Sequence, residues 1–423
     1  MDARVTGLLT LLVLFISVPF GWGGEEPKPE PPKAEAGPPS KADVSATRLR
    51  WNSVYEEAVG ALRRGDARAA GQALAELIAL AKPLGADSEP AARTAYVTGE
   101  LFRAKGLWAA AERQYDEALR IGSAALGAES TEYAIWLDHM GIVKKSLRKT
   151  DEAERFFKRA LEIEERKLGA EHPDVAITLN NLASLSHDRG RYAEAIPLLE
   201  RALAIQEKAL GPEHPSVATT LQNLAVMHQE LKEGEKAEAL YKRALEINEK
   251  AFGAAHPAVD QTLSLYADFC HKEGKYDQAL ALGQRVLKIR REALGPEHPA
   301  VAAILNNLAA VYAQQKKWVE SEAANREALA IRRKAFGPES AEVASSLNNL
   351  AQAFVEQKKY GEAEALFKEI LAVFERSGPA HPQKAKYLWK YAVFLRATGR
   401  EKEAEAVEAQ AAAAATPPPK KEE

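Results

Sequence analysis

A period of 42 residues dominates the sequence and limits what the chain can fold into. The segment from Gly169 to Leu210 aligns with the segment that follows it when it is shifted forward by 42 residues. The dipeptide His-Pro marks this register, and Ser340 stands at one of the expected positions. A fixed period of this size indicates a repeat architecture, in which each unit packs on its neighbours. The histidines of the dipeptide are His172, His214, His256, His298 and His381.

Each repeat contains two helical patterns and no alternating strand pattern. Leu179, Leu182 and Ala183 lie on one face of a first helix, because they follow the i, i+3, i+4 spacing. Ala195 and Leu199 repeat this spacing on a second helix. Small residues recur where two helices must approach closely, and we therefore predict an all-α solenoid of antiparallel helix pairs. These small residues are Ala183, Ala225, Ala267, Ala309 and Ala351 on first helices, and Ala195, Ala237 and Ala279 on second helices.

The connector between repeats predicts where helices end and begin. A glycine follows the basic last turn of each second helix, and we expect a left-handed helix cap there. The proline of His-Pro then opens the next helix, where its missing N–H costs nothing. A metal site is the alternative role of the histidines, but those on successive connectors should lie too far apart to share metal–nitrogen bonds of about 2 Å. We therefore predict that His-Pro serves helix entry. The glycines are Gly127, Gly169, Gly211, Gly253, Gly295 and Gly337.

The repeat resembles the tetratricopeptide repeat, with its pattern of L-x-x-L-A, an aromatic residue, A-x-x-x-L/Y and A-L. The resemblance is closer still to the 42-residue variety of kinesin light chains, because LNNLA stands in the first helix and a GPEHP-like connector precedes it. It covers roughly residues 92–411. The resemblance implies a right-handed superhelical solenoid of about eight helix pairs, whose first helices line a concave groove.

The segments that flank the array have their own composition. Residues 1–23 combine Arg4 with a short apolar run, which predicts a signal peptide; an uncleaved amino-terminal anchor is the alternative. Residues 24–43 are rich in proline, lysine and glutamate and predict an extended linker. Residues 44–85 predict a degenerate capping repeat, residues 86–411 the array, and residues 412–423 a disordered tail. We therefore expect an exported protein, periplasmic or extracellular, or one anchored to a membrane by its amino terminus.

No catalytic constellation is present in the sequence. Cys270 is the only cysteine, and we interpret it as a half-buried small apolar residue rather than a nucleophile. Carboxylates such as Glu162 and Glu164 are expected on the solvated side of an amphipathic helix. The net charge of −3 argues against nucleic-acid binding, which requires a basic stripe. We predict a protein without enzymatic activity, cofactor or metal.

The predicted binding surface lies on the first helices. In the tetratricopeptide family, an asparagine two residues before the small alanine commonly holds the backbone of a bound peptide. An amide side chain offers both a donor and an acceptor, so it pairs with a peptide group without reading the peptide's side chains. Bonding of these asparagines within their own array is the alternative. The candidates are Asn181, Asn223, Asn307 and Asn349, with His139 earlier in the row and Leu265 interrupting it; the preceding positions Asn180, Gln222, Asn306 and Asn348; and, further along, His187, Gln229 and His271.

The charge of this surface limits the expected partner. A clamp for an acidic carboxy terminus would need a cluster of lysine and arginine, and only Arg93, Arg103 and Lys145 approach one. We therefore expect an extended, largely neutral protein or peptide as the partner. A structural scaffold that joins a larger assembly through its convex face or ends, without capturing a peptide, is the alternative function.

Overall fold

The computed structural model describes residues 41–376 and 383–415, and within these ranges it contains 18 α-helices and no strand. The predicted signal peptide, most of the predicted linker, the last eight residues of the chain and His381 lie outside the described residues. The chain divides between Leu231 and Lys232 into two compact units, which we call unit 1 and unit 2. The all-α fold built from antiparallel helix pairs, predicted from the sequence, is confirmed within each unit.

Unit 1 contains four helix pairs followed by one further helix. A 3₁₀ turn at Lys82–Leu84 and a π-helical turn at Ser123–Gly127 follow its second and fourth helices. The helices are α1 (Lys41–Arg63), α2 (Ala67–Ala81), α3 (Glu89–Ala104), α4 (Trp108–Gly122), α5 (Thr131–Ser146), α6 (Thr150–Leu168), α7 (Pro173–Asp188), α8 (Tyr192–Leu210) and α9 (Pro215–Glu230).

Unit 2 begins with a single helix and continues with four helix pairs. The helices are α10 (Gly234–Phe252), α11 (Pro257–Lys272), α12 (Tyr276–Leu294), α13 (Pro299–Gln314), α14 (Trp318–Phe336), α15 (Ala341–Glu356), α16 (Tyr360–Arg376), α17 (Lys384–Ala397) and α18 (Glu401–Ala415). Within each unit, helices that follow one another in the chain pack on each other. First helices of successive pairs also touch, as α7 touches α5 and α9.

The small residues of the repeat lie where the helices pack, with one exception. Ala183, Ala225 and Ala309 are at most 1% exposed, as expected for positions where two helices approach closely. The alanines of the second helices are equally buried. Ala267 on α11 is only half-buried, so the sequence pattern overstated its part in the helix contact.

Four connectors position the first helix that follows them through a histidine cap. The Nδ1 atom of His172 accepts a hydrogen bond from the Asp174 N–H at 3.2 Å, and Pro173 occupies the first turn of α7. The same cap recurs at His214, His256 and His298. This confirms helix entry as the role of these four His-Pro pairs. Gly169 has the predicted positive φ of 91°, but its ψ of 151° is extended rather than left-handed helical, so the predicted cap type is wrong.

The ends of the described chain differ slightly from the predicted boundaries. Helix α1 begins at Lys41, inside the segment predicted as linker, and α18 continues to Ala415, beyond the predicted end of the array at 411. The amino-terminal pair packs around Trp51 in a core that also includes Val97 and Leu101 of α3, and Trp51 Nε1 donates to Thr94 Oγ1 at 3.0 Å. None of the helices in residues 41–376 and 383–415 is both long and apolar enough to cross a membrane.

Candidate partner-binding surface

Polar side chains recur at three positions of the first helices. Counted back from the small residue, such as Ala183 of α7, they lie two, three and five residues earlier. We call them the first amide row, the second amide row and the hydroxyl row. The first amide row includes His139, Asn181, Asn223, Asn307, Asn349 and Lys390; the second includes Tyr96, Asp138, Asn180, Gln222, Asn306 and Asn348; the hydroxyl row includes Thr94, Thr178, Thr220, Thr262 and Ser346.

In unit 1, the first amide row bonds to the second amide row of the preceding first helix. The Asn181 Nδ2 donates to both carboxylate oxygens of Asp138, at 2.9 and 2.8 Å. The Asn223 Nδ2 donates to Asn180 Oδ1 at 3.0 Å. The amide nitrogens thus hold neighbouring repeats together. The amide oxygens of Asn181 and Asn223 receive no hydrogen bond from the described part of the chain, so they remain able to accept one.

Four members of the hydroxyl row, on α7, α9, α11 and α15, bond to the second helix that precedes them in the chain. In α7, the Thr178 Oγ1 donates to Glu164 Oε2 of α6 at 2.8 Å. Glu164 is only 3% exposed, so its predicted position on the solvated side of the helix is wrong. Burial raises the pKa of Glu164 to about 8, and the nearby Asp138 carboxylate also contributes. The carboxyl group is therefore largely protonated at neutral pH.

His139 belongs to a charged and aromatic cluster on α3, α4 and α5. Its Nδ1 lies 2.6 Å from Glu100 Oε1 and 3.0 Å from the Tyr96 hydroxyl. Burial alone would raise the pKa of Glu100, but His139 and Arg103 hold it well below its usual range. The Tyr115 hydroxyl also donates to Glu100. His139 is therefore engaged within unit 1 rather than presented to a partner.

The basic residues predicted at the amino-terminal end are neutralised by carboxylates. Arg93 pairs with Glu132 at 2.7 Å, Arg103 pairs with Glu100 at 2.6 Å, and Lys145 lies 3.4 Å from an Asp188 carboxylate oxygen. These three cations do not form a free basic cluster.

A small pocket opens between α7, α8 and α9, and it brings together two of the predicted residues. Its volume is about 140 Å³, enough for one aliphatic side chain but below the usual range for a small-molecule ligand. His187 and Asn223 lie in its wall, whereas Asn181 does not. The lining residues are Ala183, Ser184, His187, Leu199, Asn223, Val226 and Met227.

Two glutamines of α9 differ in exposure. Gln222 is 5% exposed and belongs to the core, so it is poorly placed to meet a ligand. Gln229 is half-buried and donates to Glu230 at 3.4 Å.

In unit 2, the predicted asparagines have different environments. Asn307 is exposed and makes no hydrogen bond with the described part of the chain. Asn306 is buried, and with its amide oxygen facing the Arg332 guanidinium it accepts hydrogen bonds at 2.8 and 3.0 Å. Asn348 Oδ1 accepts from Lys390 Nζ at 3.0 Å, and Asn348 Nδ2 lies 3.4 Å from Asn349 Oδ1.

His271 lies on α11 of unit 2, in the place that His187 has on α7. It is half-buried, and its ring centroid is 6.1 Å from that of Tyr276. His187 has the same relation to Tyr192, at 5.5 Å. Within the described chain, no three His, Cys, Asp or Glu side chains converge as a metal site would require.

Sequence reasoning missed the hydroxyl row and a set of cations at the end of unit 2. Thr178, Thr220 and Thr262 recur at the 42-residue period, so the repeat itself contained the signal.

Lys386 and Lys390 lie 5.8 and 5.6 Å from the centroid of the Tyr387 ring, and neither has an ion-pair partner among the described residues. The basic character of this helix was visible in the sequence, but the lack of nearby carboxylates was not.

Cys270 is a core residue of unit 2. Its side chain is fully buried, more completely than the sequence predicted, and burial raises the pKa of its thiol to about 12. A thiol with such a pKa is a poor nucleophile at neutral pH, which agrees with the predicted structural role.

Stacked antiparallel helix pairs, joined by capped connectors at a 42-residue period, define a helical-repeat protein. The chain belongs to the tetratricopeptide repeat family, whose model matches residues 98–166, 131–187, 174–250, 258–334, 301–376 and 342–416. The predicted resemblance to the tetratricopeptide repeat is confirmed by this match. Among proteins of curated function, none matches the chain.

Several solved structures are similar to this chain. A putative kinesin light chain with nearly identical TPR-like repeats from Podosopora anserina is 27% identical, over 49% of this chain and 98% of that chain, with a TM-score of 0.46. The apo form of the quorum sensor NprR from B. thuringiensis is 14% identical, over 87% of this chain and 99% of that chain, with a TM-score of 0.56. The apo form of RapI is 18% identical, over 78% and 87%, with a TM-score of 0.54. NprR and RapI share the fold with this chain.

Proposed function

We propose that this is an exported protein that binds a protein or an extended peptide through the first helices of its repeats. The observation that carries the proposal is the pocket between α7 and α9, which lies beside an amide oxygen with no hydrogen-bond donor. An aliphatic side chain of the ligand enters the pocket, where Val226 and Met227 bury it. The Asn223 oxygen then accepts a hydrogen bond from a backbone N–H of the ligand.

The surroundings of the pocket favour a neutral ligand at this site. His187 and Ser184 are the other polar residues of its wall, and neither carries a fixed charge. The nearby cation Lys145 is occupied, because it bonds to the Ser184 hydroxyl and approaches Asp188. A ligand with an uncharged aliphatic anchor therefore loses less hydration on binding than a charged one.

The first test is a peptide-display screen on the full chain, followed by titration calorimetry of a selected peptide. Replacing Asn223 and Asn307 together by alanine should weaken binding by about tenfold, because both lose an acceptor that an engaged backbone needs. The α-helical content should not change. Glu162 on the exposed side of α6 is a matched control, and its replacement by alanine should leave the affinity unchanged.

The alternative is a structural scaffold that joins a larger assembly without capturing a peptide. Equal affinities of wild type and the double variant, or a screen that selects no peptide, would favour the scaffold. Val226→Trp fills the pocket and leaves the asparagines in place. It therefore separates the contribution of the buried ligand side chain from that of the hydrogen bonds to the ligand backbone.

Export is tested separately, because residues 1–40 lie outside the described structure. Expression of the full chain should yield a mature protein whose mass corresponds to cleavage near Gly23. A protein that retains Met1 and is recovered with membranes would contradict cleavage and support the amino-terminal anchor.

A further inference from the structure

Helix α14 in unit 2 lacks a large apolar side chain that most second helices carry. Ala324 occupies this position of the repeat and is 9% exposed. The equivalent residues of other second helices are Phe156, Leu198, Leu240, Leu282 and Leu366. Because packed interiors leave few voids, the loss of such a side chain must be compensated by its neighbours or must leave a space.

At Ala324 the neighbours do not close the space. A cleft of about 310 Å³ opens there, with Leu305 and Leu308 of α13 and Leu287 of α12 among its lining residues. Leu308 already lies against Gly283, where even a Cβ atom would come within 2.8 Å of its Cδ2. The floor of the cleft is therefore apolar, and its Leu308 side chain packs directly on the backbone of α12 at Gly283.

The rim of the cleft is polar and carries an excess of negative charge. Gln284 Nε2 donates to the Tyr312 hydroxyl at 3.3 Å, and Arg291 pairs with Glu327 at 2.5 Å. Glu320 also lies on the rim; it is exposed and makes no ion pair with the described part of the chain. One carboxylate thus stands uncompensated above an apolar floor.

We propose that this cleft is a second docking site, which takes the side chain of a lysine presented by a partner protein. The aliphatic stem of lysine covers apolar surface while its ammonium group stays at the water boundary, here beside Glu320. Burial of the stem against Leu287, the half-buried leucine of the cleft, supplies the affinity, and the carboxylate selects a cation over an anion. Val319, 76% exposed one turn before Ala323 on the same face of α14, extends the apolar surface toward the partner.

This site is separate from the pocket at Asn223, because its lining residues lie on α12, α13 and α14 of unit 2, whereas that pocket is lined by α7, α8 and α9 of unit 1. A partner that used both sites would gain avidity from the second contact. If peptide binding at Asn223 is disproved, the lysine site at Ala324 is not affected. If the lysine site is disproved, peptide binding at Asn223 is not affected.

The test uses hexylammonium and hexanoate as probes, measured by titration calorimetry against the full-length chain. They share an alkyl chain and differ in the sign of the charge. We expect hexylammonium to bind wild type, and hexanoate to bind at least about threefold more weakly, as a single exposed ion pair allows. Ala324→Leu should weaken hexylammonium binding by about tenfold or more, because the leucine refills the cleft. The matched control Ala281→Leu adds the same side chain at an exposed position of α12 and should have no effect.

A charge-reversed variant decides the proposal even if Ala324→Leu fails to fold. Glu320→Lys lies at an exposed position, and it should reverse the preference so that hexanoate binds more tightly than hexylammonium. The proposal is overturned if wild type binds neither probe, if it binds both equally, or if Ala324→Leu retains full affinity for hexylammonium.

Discussion

Glu164 in unit 1 and Arg332 in unit 2 occupy the same position of the repeat, but they carry opposite formal charges. Each faces a hydroxyl 14 residues later, at 2.8 Å from Thr178 in one unit and 2.8 Å from Ser346 in the other. Burial acts on both in the same sense, since it disfavours the charged form. It raises the pKa of Glu164 to about 8 and lowers the pKa of Arg332.

The residues around Glu164 and Arg332 determine whether each buried side chain is neutral or charged. Glu164 lies near a second buried carboxylate, Asp138, so it keeps its proton. Arg332 remains charged and donates hydrogen bonds to neutral oxygens, among them the amide oxygen of Asn306 at 2.8 Å. Other repeats fill the position with an amide, such as Gln206, which accepts from Thr220 at 2.7 Å. The repeat therefore fixes the geometry of the contact, while the charge within it varies.

The largest expected effect comes from removing the titrating group at Glu164. Its pKa is about 8 in the folded protein against a usual 4.5, so between these values the folded protein holds a proton that the unfolded chain has lost. The free energy of unfolding should therefore fall as the pH rises through this interval, by about 1.4 kcal/mol per pH unit. This contribution is fully present below about pH 4.5 and lost above about pH 8.

Glu164→Gln should abolish this pH dependence, because an amide does not titrate and Gln206 makes the same contact in the next repeat. Urea unfolding at pH 5, 6.5 and 8 should show a variant that is more stable than wild type at pH 8 by several kcal/mol and closer to it at pH 5. Glu162→Gln at an exposed position is the control. Parallel pH profiles for wild type and Glu164→Gln would show that Glu164 is ionised in the folded state.

The second expected effect compares the small residues of the two units. Ala225→Leu in α9 should overpack a fully buried helix contact and cost about 1–3 kcal/mol of unfolding free energy. Ala267→Leu in α11 should cost less than about 1 kcal/mol, because Ala267 is only half-buried and its new side chain can turn toward solvent. Urea unfolding of both variants measures the difference, and equal losses would contradict the partial exposure of Ala267.

The smallest expected effect separates a bonded asparagine from an unbonded one. Asn181→Ala should cost about 1 kcal/mol, because Asp138 loses two hydrogen bonds inside unit 1. Asn307→Ala should raise stability by roughly 0.3 kcal/mol, since alanine is the better helix former and no bond is lost. Thermal unfolding that shows the same loss for both variants would imply an intramolecular partner for Asn307.

Much of the fold could be predicted from single residues at fixed spacing. The glycine and the His-Pro proline of four connectors set helix ends through backbone constraints that do not depend on distant contacts, and the structure begins α7, α9, α11 and α13 at these prolines. The surface was predicted less well. The asparagine rows were found because they recur, but recurrence cannot distinguish Asn181, whose nitrogen bonds to Asp138, from Asn307, which bonds to nothing in the described chain.

The sequence by itself determined the repeat length, the two helices of each repeat, the start of four first helices at His-Pro and the family, because these depend on local spacing and on side chains that contact their own or the next repeat. Only the tertiary structure decided which charged residues are buried. Glu162 and Glu164 are two residues apart on the same amphipathic helix, yet one is exposed and the other is 3% exposed. The difference arises because the following first helix packs over Glu164, and the position of that helix depends on the whole stack rather than on neighbouring residues. The cleft at Ala324 has the same origin, since an alanine leaves a space only where no side chain of a neighbouring helix enters it.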